Sequence, residues 1–307
     1  MSLETMRQAG IDPGTIGIWT WTFDRAPVQI VWRQVQLVED LGYGAVWVPE
    51  VTGKEALTHA ALLLARTSRL VVANGIARIQ ERSPRAMAAG QQTLWDAYPG
   101  RYLLGLGVGG GGERPIEALR RYLDEMDTVQ VLVGNRPPVP RVLAAHGLTM
   151  LRVAQERATG AHTYKVPVAH TREARLVLGP EPFLAVEQAV LLEEDAGRAR
   201  ALAREHLAGY VHSPFNRAKF RHLGYREEEL AGGGRDRFVD DLVAWGSLER
   251  VVERVRAHLE AGADHVAVQV LTSDGTASLE DQWQHLAKTL MLEGEAAGSR
   301  SRSQSRQ

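Results

Sequence analysis

Eight times along this chain a short apolar run is followed by a longer amphipathic stretch. Residues 16–20 read as a strand, and Pro27 then opens a helix with Val28, Val31, Val35, Val38 and Leu41 on one face. Residues 45–50, AVWVPE, form the second strand and leave a carboxylate, Glu50, at its exit; residues 55–67 follow as a helix. The third strand, RLVVANGIA at 69–77, is β-branched until Ala73, Asn74 and Gly75 interrupt it. An apolar run of this kind is buried on both faces, as in a parallel sheet covered by helices. Ser83 and Pro84 start a helix that lasts to about Tyr98, and Pro99-Gly100 breaks it before a fourth strand at 102–108.

A helix at 115–133 leads through Pro137, Pro138 and Pro140 to a fifth strand at 141–145 and a helix at 147–159. Residues 161–166 and 171–178 make the sixth strand and its helix, and 183–192 the seventh strand. Residues 197–245 are polar and helical in character, broken by Pro214, Gly224 and Gly232-Gly233-Gly234, and are longer than one crossover needs. They read as a helical insertion between the seventh and eighth strands. Ser247 caps a helix with Leu248, Val252, Val255 and Leu259 on one face, Gly262 stops it, and HVAVQVL at 265–271 is the eighth strand before a final helix at 279–292. The alternation predicts an α/β fold, either a (β/α)8 barrel or a doubly wound open sheet. A single domain is expected over 1–297, with the Ser/Arg-rich 298–307 as a disordered tail.

Composition narrows the function classes. Lysine and arginine total 36 against 37 acidic residues, which leaves no basic footprint for nucleic acid and no polybasic patch for a membrane surface. The longest apolar run, at 60–65, is far too short to span a bilayer, and residues 1–17 have acid and glycine where a signal peptide would have an apolar core. The absence of cysteine removes disulfides, thiolate metal sites and a cysteine nucleophile, and is compatible with a reducing cytoplasm, the expected location. No G-x-S-x-G elbow, no phosphate loop and no His pair at i, i+4 with a third ligand occurs, so no metal is expected. Gly105, Gly107 and Gly110 do satisfy G-x-G-x-x-G, but on the fourth strand, and the acids about twenty residues on, Asp124 and Asp127, fall inside a helix. These glycines suit a strand that a planar ring or a neighbouring backbone approaches closely, with tight packing as the alternative.

Six blocks carry a resemblance. LGYGAVWVPE at Leu41, ARTSRLVVANGIARIQERSP at Ala65, YPGRYLLGLGVG at Tyr98, AAHGLTMLRVAQERATGAH, DRFVDDLVAWG and EAGADHVAVQVL at Glu260 together resemble the luciferase-like monooxygenase family, in particular its actinobacterial branch of deazaflavin-dependent oxidoreductases. The resemblance covers nearly the whole chain in order. It implies the (β/α)8 barrel, commonly as a homodimer, with coenzyme F420 or FMN at the carboxyl ends of the strands. The implied reaction is hydride transfer between F420 and a small organic substrate, with an FMN-dependent monooxygenase as the alternative. One departure stands out: relatives usually carry a longer polar segment after GLGV, where this chain has only Gly109 to Gly112 and Glu113. A coenzyme-binding protein that has lost catalysis through this shortened loop is therefore a third reading.

Candidate site residues follow from the strand exits. Glu50 could orient substrate or exchange a proton if burial raises its pKa, or be a solvated loop acid. Asn74 needs partners that either a bound ring or a neighbouring loop would supply. With Gly75 it marks a break expected to be a bulge or, as the resemblance implies, a non-proline cis peptide that backs the ring. Gly107 and Gly109 are expected beside the coenzyme. Gly160, Ala161 and His162 match the family segment whose backbone N–H groups meet the coenzyme's phosphate arm. Trp19, Gln188 and Gln269 are candidates for the substrate pocket, although periodicity alone does not tell which face the two glutamines occupy.

Overall fold

The apolar runs form one parallel sheet that closes on itself. Its strands are β1 (Ile16–Trp19), β2 (Ala45–Pro49), β3 (Val71–Arg78), β4 (Tyr102–Gly107), β5 (Arg141–Ala144), β6 (Gly160–Thr163), β7 (Phe183–Leu191), β8 (Val243–Trp245) and β9 (His265–Val270). This computed structural model describes residues 3–51, 53–109, 114–130, 139–272 and 278–304. Strands β1 to β7 pair in sequence order, β7 pairs with β9, and β9 returns to β1 with Gly17 opposite Ala267. The result is the (β/α)8 barrel, and the open sheet is excluded.

The short β8 is an addition to the barrel. It pairs with Ala189, Val190 and Leu191 of β7 on the edge that β6 uses lower down, because β9 already occupies the other edge. Three residues are too few to show a period of two, which is why this strand is hidden within the insertion in the sequence. The insertion supplies helices Ala196–Val211, Pro214–His222 and Asp236–Leu242, with a core of its own around Leu207, Phe220, Phe238 and Val239. The final helix, Leu279–Gln304, continues into the segment expected to be a disordered tail.

Alternation along the strands divides the core in two. Ile18, Val46, Val48, Val72, Leu104, Leu143, Val186 and Val268 pack outward against the helices, while Trp47, Val71, Ala73, Leu103, Val142, Phe183, Ala185 and Ala267 fill the lumen. The lumen is partly polar. Trp47 Nε1 donates to His265 Nε2 (2.9 Å), which makes Nδ1 the protonated nitrogen that meets the Gly14 carbonyl (2.8 Å). The His162 ring lies above, stacked on Trp47 at 4.5 Å.

Candidate active site

The carboxyl end of β3 is irregular. Val48 lies opposite Asn74 but Pro49 lies opposite Ile76, and on the other edge Ala73 pairs with Leu103 whereas Ala77 pairs with Leu106. One extra residue is accommodated between Asn74 and Ile76, which is a β-bulge. All described peptide bonds are trans. Of the two geometries expected here, the bulge is present and the cis peptide is not.

The bulge faces two ring edges. A Cβ added at Gly75 would lie 2.8 Å from Trp19 Nε1 and 3.6 Å from His162 Nε2. Trp19 Nε1 is buried without a protein partner, and neither His162 ring nitrogen makes a well-formed hydrogen bond, although the Ala185 backbone bears on the ring. Buried polar atoms are rarely left so, and a cluster of them beside a bulge at the ligand-binding end of a barrel calls for an outside partner. Burial, reinforced by the nearby His265, pushes the His162 pKa down to about 3. The imidazole is therefore neutral and offers one N–H and one lone pair.

Aromatic and charged groups surround this spot. Trp19 packs against Tyr164 (4.8 Å between rings) and Trp21 (5.2 Å). Trp21 Nε1 donates to the Tyr164 hydroxyl (3.0 Å), which lies 3.1 Å from that of Tyr210, delivered by the first insertion helix. Glu187, inward on β7, accepts the Lys165 backbone N–H (2.9 Å). With its amide oriented to satisfy both neighbours, Gln269 donates to Glu187 Oε1 (2.8 Å) and accepts from Trp21 Nε1 (3.1 Å). The Lys165 amine meets His206 Nε2 and sits 4.6 Å and 4.4 Å from the Tyr164 and Tyr210 ring centres, while Lys219 Nζ donates to the Tyr164 carbonyl (2.6 Å). Burial raises the Glu187 pKa against the pull of Lys165, and lowers that of Lys165. Lys165 also has φ 51°, a left-handed conformation uncommon for a side-chain-bearing residue.

Comparison with known proteins places this geometry. Residues 10–126 match the family model described as luciferase-like monooxygenase. Over that segment the chain is similar to the family. It is 26% identical, over 83% of its own length and 71% of the other's, to a Mycobacterium tuberculosis protein whose name proposes a coenzyme F420-dependent oxidoreductase. Among solved structures, it resembles a coenzyme F420-dependent tetrahydromethanopterin reductase from Methanopyrus kandleri (TM-score 0.71, 16% identity, 92% of this chain and 99% of that one). It also resembles the oxygenating constituent of 3,6-diketocamphane monooxygenase from Pseudomonas putida in complex with FMN (TM-score 0.64, 15% identity, 91% and 98%). At these identities the structural likeness is one of fold.

Several expected site residues play other parts in this barrel. Glu50 is fully engaged: its carboxylate accepts from the backbone N–H groups of Ala56 (3.1 Å) and Arg78 (2.8 Å) and pairs with both terminal nitrogens of Arg82. It ties the ends of β2 and β3 to a helix start and leaves no oxygen for proton exchange with a substrate. Asn74 points outward, where its oxygen accepts from the Tyr102 hydroxyl (2.6 Å) and its nitrogen donates to Ala56 O (3.4 Å), so a bound ring is not needed to satisfy it. Gly160 and Ala161 lie within the β6 ladder between β5 and β7, with Gly160 tight against the Phe183 carbonyl. His162 therefore presents its ring to the site while its backbone is held in the sheet.

The remaining glycines and glutamines divide. Gly107 is packed by Ile76 and Ala144, since a Cβ there would come within 2.9 Å of both. Gly109, at φ 62°, turns the chain beside Arg78. Residues 110–113, which include most of the shortened glycine loop, lie outside the described residues. Gln269 and Trp19 lie in the candidate site, but Gln188 faces the helices: its oxygen accepts from His258 Nε2 (2.9 Å), and its amide donates to Leu242 O (3.1 Å). Gln188→Leu should thus cost about 1–3 kcal/mol of stability by stranding these partners, with ligand binding at the barrel mouth unchanged. Urea unfolding alongside a binding titration checks both halves, and a weakened affinity would return Gln188 to the pocket.

Tyr164, Lys165, Glu187, His206, Tyr210 and Lys219 were missed by sequence reasoning. A signal existed for Glu187, which shares the inward period of Phe183 and Ala185 on β7. The lysines and the insertion residues carry no such pattern.

The buried histidines give an acid limit to stability. Burial pushes His162 and His258 down to about 3 and His59 and His265 to about 4, from an ordinary 6.5. Between pH 6.5 and about 4 the unfolded chain binds more protons than the folded one, so stability falls as pH is lowered through that window. Calorimetric unfolding near the middle of the window, in buffers of different ionisation enthalpy, should register net proton uptake. Unfolding without uptake there would mean that the histidines are already solvated.

Proposed function

We propose that this chain is a coenzyme F420-dependent oxidoreductase that moves a hydride between the deazaflavin and a small organic substrate at the barrel mouth. The observation that carries the reading is the set of buried nitrogens without a well-formed protein hydrogen bond, Trp19 Nε1 and those of His162, gathered against the Gly75 bulge. A flat heterocycle with carbonyl and N–H edges matches such a set, because it both donates and accepts. The mycobacterial relative and the methanogen reductase, by their names, use the same coenzyme. The residues present therefore fit the group.

Each part of the mouth has a task. Trp19 and His162 would hold the heterocycle's polar edges, and Gly75 removes the side chain that would crowd them. Trp21, Tyr164 and Tyr210 form an aromatic wall that limits water and strengthens the polar contacts behind it. Glu187, held by the Lys165 backbone, is tied through Gln269 to Trp21 of that wall. When bound, the deazaflavin supplies the hydride chemistry, and the protein supplies position and electrostatics.

Turnover distinguishes this reading from the FMN monooxygenase. Reduced F420 mixed anaerobically with a panel of small ketones, imines and enones should regain the visible absorbance of its oxidised form only when enzyme is present. Oxygen uptake with reduced FMN should stay at the enzyme-free rate. Enzyme-dependent oxygen uptake with FMN and silence with F420 would replace the proposal by the monooxygenase.

A further inference from the structure

The mouth holds two amines to one carboxylate. Lys165 is only 2% exposed, and its amine is enclosed by two tyrosine rings and a histidine. That histidine, His206, is kept neutral by burial and by Lys165 itself. The Lys219 amine meets the Tyr164 backbone carbonyl. Among the described residues neither amine forms an ion pair; Glu187, the carboxylate whose charge both feel, is bound instead to the Lys165 backbone and Gln269. Arg25, beside Trp21 and felt by Tyr210, adds positive charge at the rim. Burial and the charge of Lys165 bring the Lys219 pKa down to about 7, the sign of a positive site lacking its counter-charge. Buried ammonium groups are ordinarily paired, and leaving one unpaired is costly.

We propose that Lys165 and Lys219, with the hydroxyls of Tyr164 and Tyr210, form a subsite for an anionic group, a carboxylate or a phosphate, on a ligand that enters the barrel mouth. Tyr164, His206, Tyr210 and Lys219 are part-exposed and give the approach, while Lys165 lies beneath them. An entering oxyanion takes the place of His206 as partner of the Lys165 amine and accepts a second charge-assisted bond from Lys219. The anion comes either from an acidic arm of the coenzyme or from an acidic substrate, and the chemistry of recognition is the same for both.

The test uses full-length, coenzyme-free protein titrated calorimetrically with inorganic phosphate and with acetate. At least one should bind saturably, and Lys165→Met and Lys219→Met should each weaken that binding about tenfold or more, the scale of losing a charge-assisted hydrogen bond. Lys219 is part-exposed on a surface helix, so its variant keeps the test valid should Lys165→Met fail to fold. Repeating an F420 titration at saturating phosphate assigns the source: competition places the coenzyme's acidic arm in the subsite, and independence reserves it for an acidic substrate. No saturable binding of either anion, or equal binding by wild type and Lys219→Met, overturns the proposal. The subsite uses the mouth described under the proposed function, but its anion titrations contain no coenzyme, so failure of either idea is read without reference to the other.

Discussion

Arg82→Leu should lower the unfolding free energy by about 3–5 kcal/mol, the cost of stranding a buried carboxylate by removing its partner. Both side chains of the Arg82–Glu50 pair are less than a tenth exposed, and Arg82 also reaches Glu55 (2.8 Å), which caps the helix Ala56–Leu64. Burial opposes the Arg82 charge, but the paired Glu50 and Glu55 outweigh it and raise its pKa, so the guanidinium stays charged. The double variant Arg82→Leu with Glu50→Leu should recover part of the loss, because it strands no charge. Urea denaturation of the single and double variants checks the expectation. A loss under about 1 kcal/mol for the single change would mean that water already reaches the pair, as at a surface bridge.

The second large effect is expected at Gly105. A methyl group there would overlap the backbone carbonyl oxygen of Asn74, and a backbone atom inside a closed barrel has little room to retreat. Gly105→Ala should therefore cost about 3 kcal/mol, at the upper end of the overpacking range. It should also disturb coenzyme binding, since the Asn74 carbonyl belongs to the bulge that places Gly75 beneath Trp19 and His162. Gly109→Ala, by comparison, should act through its positive φ and leave the bulge in place. Thermal unfolding and a coenzyme titration of both variants separate the two causes. Wild-type stability and affinity in Gly105→Ala would show that β3 and β4 are not held this close.

The alternation of strands and helices was legible because each apolar run was long enough to reveal itself, with a proline, a glycine or a cap at its boundary, but only the resemblance favoured the closed barrel over the open sheet. The break at Asn74-Gly75 was legible as well, since a glycine inside a β-branched run signals a bulge. Direction was harder to read. Glu50 and Asn74 are polar residues at strand exits and Gln188 interrupts an apolar strand, and one sequence cannot tell an inward side chain from one that ties a strand to its helix. Their partners Arg82, Tyr102 and His258 lie 32, 28 and 70 positions away. The lysine cluster was harder still, because Lys165 gains its meaning only from His206, Tyr210 and Lys219 on an insertion whose docking no local pattern encodes.

The central claim is that a deazaflavin lies against the Gly75 bulge and takes up the buried ring nitrogens of Trp19 and His162. An equilibrium titration of the coenzyme-free protein with F420, read by quenching of tryptophan fluorescence and set beside the same titration with FMN, tests it most directly. The account predicts saturable quenching by F420, with FMN weaker, and a loss in His162→Ala of about 1–3 kcal/mol in F420 affinity, the scale of a missing buried hydrogen bond. Equal quenching of wild type and His162→Ala, or no saturation by F420 at all, would contradict it.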